Sequence, residues 1–591
     1  MAMFRPTDPQ RSMFESEFLM SAAKAARLRK SWAEAFRTRV MPAIDEERFR
    51  EAFSGSTGRP NKSIRVLVGL HVLKEWNDLT DEQVIEQFEF NLQWHHALEV
   101  TPSDAHVCQK TLHNFRVLLM ENARAQGVFE DVTRALVEGD RIKLGQQRLD
   151  STHVLSNIAV LTRLGLFVKT VTNFLMELRR EQPEALAELN AEYGRRYLER
   201  EGYFSDAKRE QAKRRLPVVA QDVYALLLKF RENAAVRVLP AYLLLQRLFE
   251  EQCVLDDGDP QDGAGSAAGS GGGERGGLDG AGDAPSGAEQ PRVALREPRD
   301  IKADTLQSPY DPDATYGHKG KGYEVQVAET CHDENPYQLI TATSVNGAHE
   351  SDQRATIPML DQLEASGMKP DEMLADTGYG SGANIVAAAE RDVELHAPVQ
   401  DLNAPAAREP FASPAAEVPD KGEGRGGVHL IALYVQFGGL ADFAFDTTCQ
   451  EVLYCPAAQA PSAQHMAGGR LIARFSADHC LGCPQAERCV TRLLSSGDRQ
   501  LNRAPATIAT ELRQAEQQQA PFKDRYRKRS GIESTNAELK GRHGLGDLKI
   551  RRRPRVVLAV TLKSLALNAK RAVQHHVRLL AASEMMAELP A

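Results

Sequence analysis

The 591-residue chain has no apolar run of the roughly 18 to 20 residues that a membrane-spanning helix needs. Its opening stretch, Met1 to Gln10, holds no apolar segment of the secretory type, which points away from export. Eight cysteines are too sparse to act as a disulfide scaffold, and they fit a reducing, cytoplasmic setting. No internal repeat is evident. What is present is ordinary for a globular protein: 42% of residues are apolar and 26% charged, which excludes a fibre or a wholly disordered chain. The length predicts three or four domains or large insertions.

The net charge of −8 hides two opposed segments. Asp256 to Gln290 carries eight acids and a single base, Arg275, a local −7. Lys523 to Arg571 carries fifteen Lys and Arg against Asp524, Glu533, Glu538 and Asp547, a local +11. A basic block of this kind attracts a polyanion whatever the global charge. Taken alone, it equally describes a solvated helix face.

Met13 to about Gly145 reads as helical. Ser63 to Lys74 has apolar residues at helical spacing, Thr80 and Gln83 form a capping-box pair, and Leu112, Phe115, Leu118 and Leu119 continue the pattern. Such a head suits either a helix-turn-helix DNA-binding domain or a generic helical bundle. Trp76 and Trp94 read as packing residues, and the adjacent His95 and His96 face different ways on a helix. Gln147 to Val154 reads as a strand ending in polar residues. Helices are expected from about Leu161 to Leu255, chiefly at Glu184 to Leu198 and Val218 to Phe249. The Gly-, Ser- and Asp-rich Asp256 to Gln290 buries too little apolar surface to offset its ordering entropy and is expected to be a disordered tether. Beyond it, Gly322 to Cys331 alternates as a strand, with Asn335 to Ser344 as its hairpin partner. A helix (Asp352 to Ser366), a strand (Asp371 to Asp376), a sharp turn (Thr377 to Gly382), a helix (Asn384 to Arg391) and a short strand (Val393 to Val399) follow. This order implies a mixed sheet covered by helices. Asp401 to about Gln519 is Pro- and Ala-rich with short β-like runs, and Arg525 onward is helical and basic.

The strongest local pattern is Tyr526-x2-Arg529-x3-Glu533-x6-Lys540. Steps of three, four and seven residues keep these side chains on one helix face, so one carboxylate is flanked by two cations and a phenol. An acid among bases suits a metal ligand facing a phosphate. Surface salt bridges explain Arg529 and Glu533 equally well but not Gly531, which costs about 1 kcal/mol relative to Ala inside a helix. Close approach of a ligand backbone would account for it. Asp376 ends an apolar strand before a Gly-rich turn, where a carboxylate points into a ligand crevice. Asp150 sits similarly after Arg148-Leu149. Asp304, Asp311 and Asp313 are rivals that also read as ordinary turn acids. Two strand-end Asp and one helix Glu make a cage for divalent metal.

Cys455, Cys480, Cys483 and Cys489, spaced C-x24-C-x2-C-x5-C, suit a tetrahedral structural zinc. Cys449, His465 and His479 are alternates for one position, and free buried thiols are the other reading. Cys108, Cys253 and Cys331 have no nearby partners.

Leu149-Asp150-Ser151-Thr152-His153, Leu374-Ala375-Asp376-Thr377-Gly378-Tyr379 and the Tyr526, Arg529, Glu533, Lys540 signature resemble the bacterial insertion-sequence DDE transposases with an RNase H-like core. Ser308 to Ala314 and the helical head resemble the same group. The likeness extends over most of the chain except the tether. It implies an α/β fold: an RNase H-like mixed sheet flanked by helices, an all-α N-terminal domain, a helical insertion and a small Cys-rich insertion containing β-structure. The corresponding segments are 1–145 (DNA-binding head), 146–154 (first catalytic strand), 155–255 (helical insertion), 256–299 (tether), 300–400 (catalytic core), 401–520 (Cys-rich insertion) and 521–580 (basic catalytic helix region). The resemblance further implies two Mg²⁺ ions, or Mn²⁺, held by Asp150, Asp376 and Glu533. It implies DNA contacts from Tyr526, Arg529 and Lys540, and cleavage followed by strand transfer on double-stranded DNA at terminal inverted repeats and a target. A homo-oligomer on DNA in the bacterial nucleoid, without membrane attachment, completes the expectation. A nuclease lacking strand transfer and a non-catalytic DNA-binding protein on the same scaffold are the alternatives.

Overall fold

The computed structural model describes residues 2–7, 20–58, 60–157, 161–199, 209–256, 292–400 and 439–587. Of the expected tether, 256–299, residues 257–291 lie outside the described residues, as does 401–438 of the Cys-rich insertion, while Arg292–Leu295 is a strand rather than disordered chain. The chain forms two compact units. One contains Met1–Leu155, Glu324–Asn346 and Glu350–Ala591; the other contains Ser156–Tyr323 and Gly347–His349.

The larger unit is built on a mixed sheet. Its strands run in the order Ile340–Gly347, Gly320–Thr330, Gln146–Val154, Glu372–Ala375, Glu394–His396. The last three are parallel neighbours, in register as Gln146↔Glu372 through Leu149↔Ala375 and Glu372↔Glu394 through Leu374↔His396. Leu149, Ala328, Met359, Leu363, Met373, Ala375 and Tyr379 form the core between sheet and helices. The alternating Gly320–Thr330 strand is buried from Gly322 to Thr330, on both faces rather than one. Its polar side chains are matched inside. Gln326 donates to Asp352 at 2.9 Å, and Glu329 accepts from Arg148 and Arg571, each at 2.6 Å.

The helices expected in 1–145 are present among its described residues. Ser63 caps Ile64–Trp76, and Thr80 with Gln83 forms the full capping box of Asp81–Phe90. His95 bonds the Phe88 carbonyl while His96 bonds Glu34, so the two rings do face different ways. The 35-residue helix Arg553–Ala587 packs on the head helices Trp32–Arg39, Ile64–Trp76 and Arg124–Gly139. On that helix, Asn568 donates to the Ile340 carbonyl at 2.7 Å and accepts from its N–H at 2.8 Å, imitating a strand at the sheet edge.

Three details differ from expectation. Asp150 lies mid-strand, because the strand continues to Val154. Its pairing with Glu372–Ala375 stops at Leu149, however, so Asp150 and Asp376 occupy the next positions of adjacent strands. The basic region is not one helix: Ala520–Tyr526, a 3-10 turn Arg527–Gly531 and Ile532–Gly541 follow one another. Finally, Pro505–Glu516, inside a stretch read as short β-runs, is a helix seated on Gly382–Ala389.

The smaller unit is mainly helical. Arg163–Glu181, Arg209–Phe230 and Pro240–Gln252 enclose Phe167, Phe174, Leu226, Phe230 and Leu245. Cys253–Asp256 pairs antiparallel with Arg292–Leu295, so Asp256 belongs to a ladder rather than to the tether. A short strand, Thr315–Gly317, pairs with Gly320–Gly322. The rival acid Asp311 is structural here: it accepts from Ser156 and from Tyr323, each at 2.6 Å.

Gly382 begins its helix where an added Cβ would overlap the Ala506 carbonyl. We expect Gly382→Ala to lower the thermal midpoint, by overpacking of about 1–3 kcal/mol. Gly541→Ala, which faces open space, should leave it unchanged or raised. Equal midpoints for the two variants would contradict this packing.

Candidate active site

The signature segment is laid along one face of the Gln146–Val154 strand. Side chains two residues apart share a strand face, and three successive ones hold it. Gln146 accepts from Lys528 at 3.1 Å, Arg148 donates to the Lys528 carbonyl at 3.0 Å, and Asp150 accepts from Arg529 at 3.1 Å. The 3-10 turn carries the chain from Tyr526 to Arg529 in one turn, and Glu533 follows four residues later.

This arrangement brings the three expected acids around a single guanidinium. Arg529 lies 3.1 Å from Asp150, 3.6 Å from Asp376 and 3.1 Å from Glu533. Asp150 is buried, whereas the Glu533 side chain is 65% exposed, so the cluster opens to solvent on the helix side. Burial raises the Asp150 pKa, and the Asp376 charge adds to that against the opposing pull of Arg529. Burial disfavours the Arg529 cation, but Asp150 and Asp376 outweigh it and hold its pKa above the ordinary arginine value. Tyr526 is half-buried and stacked on Phe522, with ring centroids 6.1 Å apart. Burial raises its pKa, opposed by Arg529 and assisted by the three acids. Lys540 is exposed near the end of the Ile532–Gly541 helix.

The structure adds residues that the sequence reading did not single out. Asn536 donates to the second oxygen of Asp150 at 3.1 Å, and its own side-chain oxygen is buried without a hydrogen-bond partner. Its spacing from Glu533 (three residues, one helix face) was the available signal. Asp352, at the start of a helix, accepts from Ser151 at 3.1 Å; a Cβ on Gly378 would meet both Asp352 and Asp376. Tyr379 is fully buried, bonds Gln326 and has its pKa pushed well up by burial and by Asp352, Asp150 and Asp376. Nothing in local spacing marks Asp352.

Gly531 has a reason other than the one expected. An added Cβ would overlap the Arg148 guanidinium, which is locked on Glu329. The glycine makes room for a side chain of the chain itself, not for a ligand backbone.

Elsewhere, Cys455, Cys480, Cys483 and Cys489 line one pocket together with His479. Burial and the other three thiols push the Cys480 pKa up. Cys449 does not line that pocket; it is buried in an apolar cluster, which pushes its thiol up to about 12. His465 is exposed on a strand. Among the described residues, one group of metal-competent donors lies within 4.8 Å of one another: Glu372, Glu394 and His396. It stands at the opening end of the parallel strands, four residues before Asp376. Arg525 already pairs with both glutamates, at 3.5 and 3.2 Å. The His396 ring and Arg525 hold Glu394 down to about 2 against the effect of burial.

Comparison with known proteins follows the same outline. Residues 454–573 match the family model described as a transposase DDE domain, and residues 27–118 match a transposase domain of the DUF772 type. These matches indicate an insertion-sequence DDE transposase. The first match contains Tyr526, Arg529, Glu533, Lys540 and the four cysteines; Asp150 and Asp376 lie outside both. A Rhizobium meliloti protein, "Uncharacterized protein ORF8 in nfe locus", is 44% identical over 59 residues, or 10% of this chain. The chain spans only 28% of that relative's length. No solved structure matches.

The fit of Gly531 against Arg148 makes a specific prediction. Gly531→Ala should lower stability by about 1–3 kcal/mol, and Arg148→Ala should also be destabilising. In the double variant the two losses should be clearly less than additive, because the overlap is gone. Strict additivity in a thermal or denaturant series would show that the two residues do not conflict.

Proposed function

We propose that the chain is a DNA transposase whose RNase H-like core performs metal-dependent cleavage and strand transfer at element ends. The observation that carries this reading is the convergence of Asp150, Asp376 and Glu533 within 4 Å of one guanidinium, from two strands and a helix far apart in sequence. The two transposase-type matches, one of them across the signature helix, support it. So does the mixed sheet, which sets Asp150 and Asp376 side by side.

Three carboxylates offer hard oxygen donors, which suit Mg²⁺ or Mn²⁺. Metal held by Asp150, Asp376 and Glu533 would supply activation of the attacking water or 3′-hydroxyl and charge stabilisation at the leaving oxygen. The protein groups do the remainder. Asn536 fixes the orientation of Asp150. Lys540 and Arg529 supply positive charge for the DNA backbone, and Tyr526 is assigned to positioning or stacking on DNA near the cut. The helical head is assigned to holding element ends, and joining two ends calls for at least two copies of the chain. Strand transfer needs a freed 3′-hydroxyl to attack target DNA. A joining assay with a pre-cut end therefore separates transposition from simple nuclease action, and inactivity in both assays would leave only a DNA-binding role.

Cys455, Cys480, Cys483 and Cys489 are proposed to hold one structural zinc, which would staple the insertion beside its apolar cluster of Phe443, Val452, Leu471 and Phe475. Metal analysis of protein purified without chelator should find about one zinc per chain, lost in Cys480→Ser. Absence of zinc, with four freely reactive thiols, would reject the site.

Glu533→Gln keeps the side chain's shape and removes its charge. It should abolish cleavage while duplex binding persists or tightens, since a carboxylate repels the strand. Lys540→Ala should instead weaken duplex binding and flatten its salt dependence by about one unit of slope, as for one lost phosphate contact. If Glu533→Gln cuts DNA at near wild-type rate with Mg²⁺, this helix does not carry the catalytic acid, and Glu538 is the next to test.

A further inference from the structure

Arg529 contacts one oxygen of each of the three acids. Its Nη2 lies 3.1 Å from Asp150 Oδ1 and 3.6 Å from Asp376 Oδ2, and its Nη1 lies 3.1 Å from Glu533 Oε1. The other Asp150 oxygen, Oδ2, accepts from Asn536 at 3.1 Å. One guanidinium therefore bridges all three acids, each through an oxygen that would otherwise face the cluster.

Two features mark this as an arrangement ready to exchange. The first is charge: three carboxylates against one guanidinium leave the cluster at −2, so further cation is favoured. The second is hydrogen bonding. Arg529 is 17% exposed, yet its Nε is buried with no hydrogen-bond partner, so the side chain leaves one donor unmatched where it lies. A buried donor without a partner is costly to keep, and a shift of the side chain toward solvent would relieve it. Glu533, which is largely exposed, marks the open side. Entry of two divalent cations would take the same cluster from −2 to +2 with Arg529 still in place. The guanidinium would then be repelled by the ions and attracted to a phosphate.

We propose that Arg529 and divalent metal compete for the carboxylates of Asp150, Asp376 and Glu533, and that metal entry releases Arg529 to a DNA phosphate. This rests on the metal-site reading above. Arg529 is on this view a positioning residue. It holds the acids in place before metal arrives and couples metal binding to strand binding. Linkage makes the coupling reciprocal: whatever weakens the hold of Arg529 on the acids must strengthen metal binding.

The test measures Mn²⁺ affinity directly, following free Mn²⁺ by electron paramagnetic resonance in the full chain without DNA. Arg529→Gln should bind Mn²⁺ more tightly than wild type, by about fivefold or more, within the usual range of such couplings. Arg529→Lys, whose single ammonium cannot bridge three carboxylates, should fall between them, and it decides the matter alone if the glutamine variant does not fold. With Ca²⁺ present, both variants should bind a short duplex of arbitrary sequence more weakly than wild type. Unchanged or weaker Mn²⁺ binding in the variants would overturn the competition. Asp376→Asn separates the two levels of the argument. If it leaves wild-type Mn²⁺ binding intact, or if wild type binds none, the acids are not the metal site and both readings fail. If Asp376→Asn abolishes binding but Arg529→Gln does not tighten it, only the competition fails.

Discussion

The position of the candidate site depends on one buried carboxylate. Glu329 is fully buried and accepts from Arg148 at 2.6 and 2.8 Å, from Arg571 at 2.6 Å and from Thr535 at 2.5 Å. Arg148 precedes Asp150 by two residues on its strand, and Thr535 follows Glu533 by two on its helix. Both elements of the candidate site are thus tied to the same group, and Arg571 brings in the long C-terminal helix. A buried ion pair is poor evidence of net stability, but losing one partner typically costs about 3–5 kcal/mol because a charge is left uncompensated. That asymmetry gives the pairing its value here: it penalises any arrangement in which the helix slides along the sheet.

Glu329 and the acids around Arg529 use the same residue types with opposite balance. At Glu329, two arginines face one fully buried carboxylate, and both of its oxygens are hydrogen-bonded. At Arg529, three carboxylates face one arginine, Glu533 is open to solvent, and two polar atoms (Arg529 Nε and Asn536 Oδ1) remain without hydrogen-bond partners among the described residues. Surplus positive charge around a buried carboxylate fixes structure. Surplus negative charge in an open cluster leaves an electrostatic demand that only another cation can meet. The chemistry of the site follows from this contrast more than from the identity of any single residue.

Local pattern made part of this legible. The caps at Ser63 and Thr80, the strand before Asp376 and the spacing of Tyr526, Arg529, Glu533 and Lys540 are all set within a few residues, where periodicity and capping chemistry act. The remainder depends on partners hundreds of positions away. Gly531 reads as a break in a helix until Arg148 is placed beside it. Arg529 and Glu533 read as a surface pair until Asp150 arrives beneath them. The burial of Glu324 and Gln326 contradicts the one-sided alternation of their strand, because what covers that strand is not encoded in the strand. Asp352 and the group of Glu372, Glu394 and His396 had no local signal at all. The helix Pro505–Glu516 lies hidden in a Pro- and Ala-rich stretch with short β-like runs, although Pro at the first helical position is favourable.

The same anchors explain how the chain accommodates so much sequence between Asp376 and Glu533. Closing a longer loop costs little extra free energy per added residue, provided that its far end is held by contacts of its own. Here the far end is held repeatedly. Arg525 pairs with Glu372 and Glu394 at the start of the parallel strands, Phe522 stacks on His396 with centroids 3.9 Å apart, and Lys528 and Arg529 reach Gln146 and Asp150. These contacts step along the sheet from the opening end of its strands to the acids at the other. The segment from Phe522 to Glu533 is therefore registered by side chains at both ends, and the length of chain preceding it is free to vary. On this argument Glu372, Glu394 and His396 need no metal to matter. Their place is to set the far end of the ruler on which Arg529 and Glu533 are the near marks.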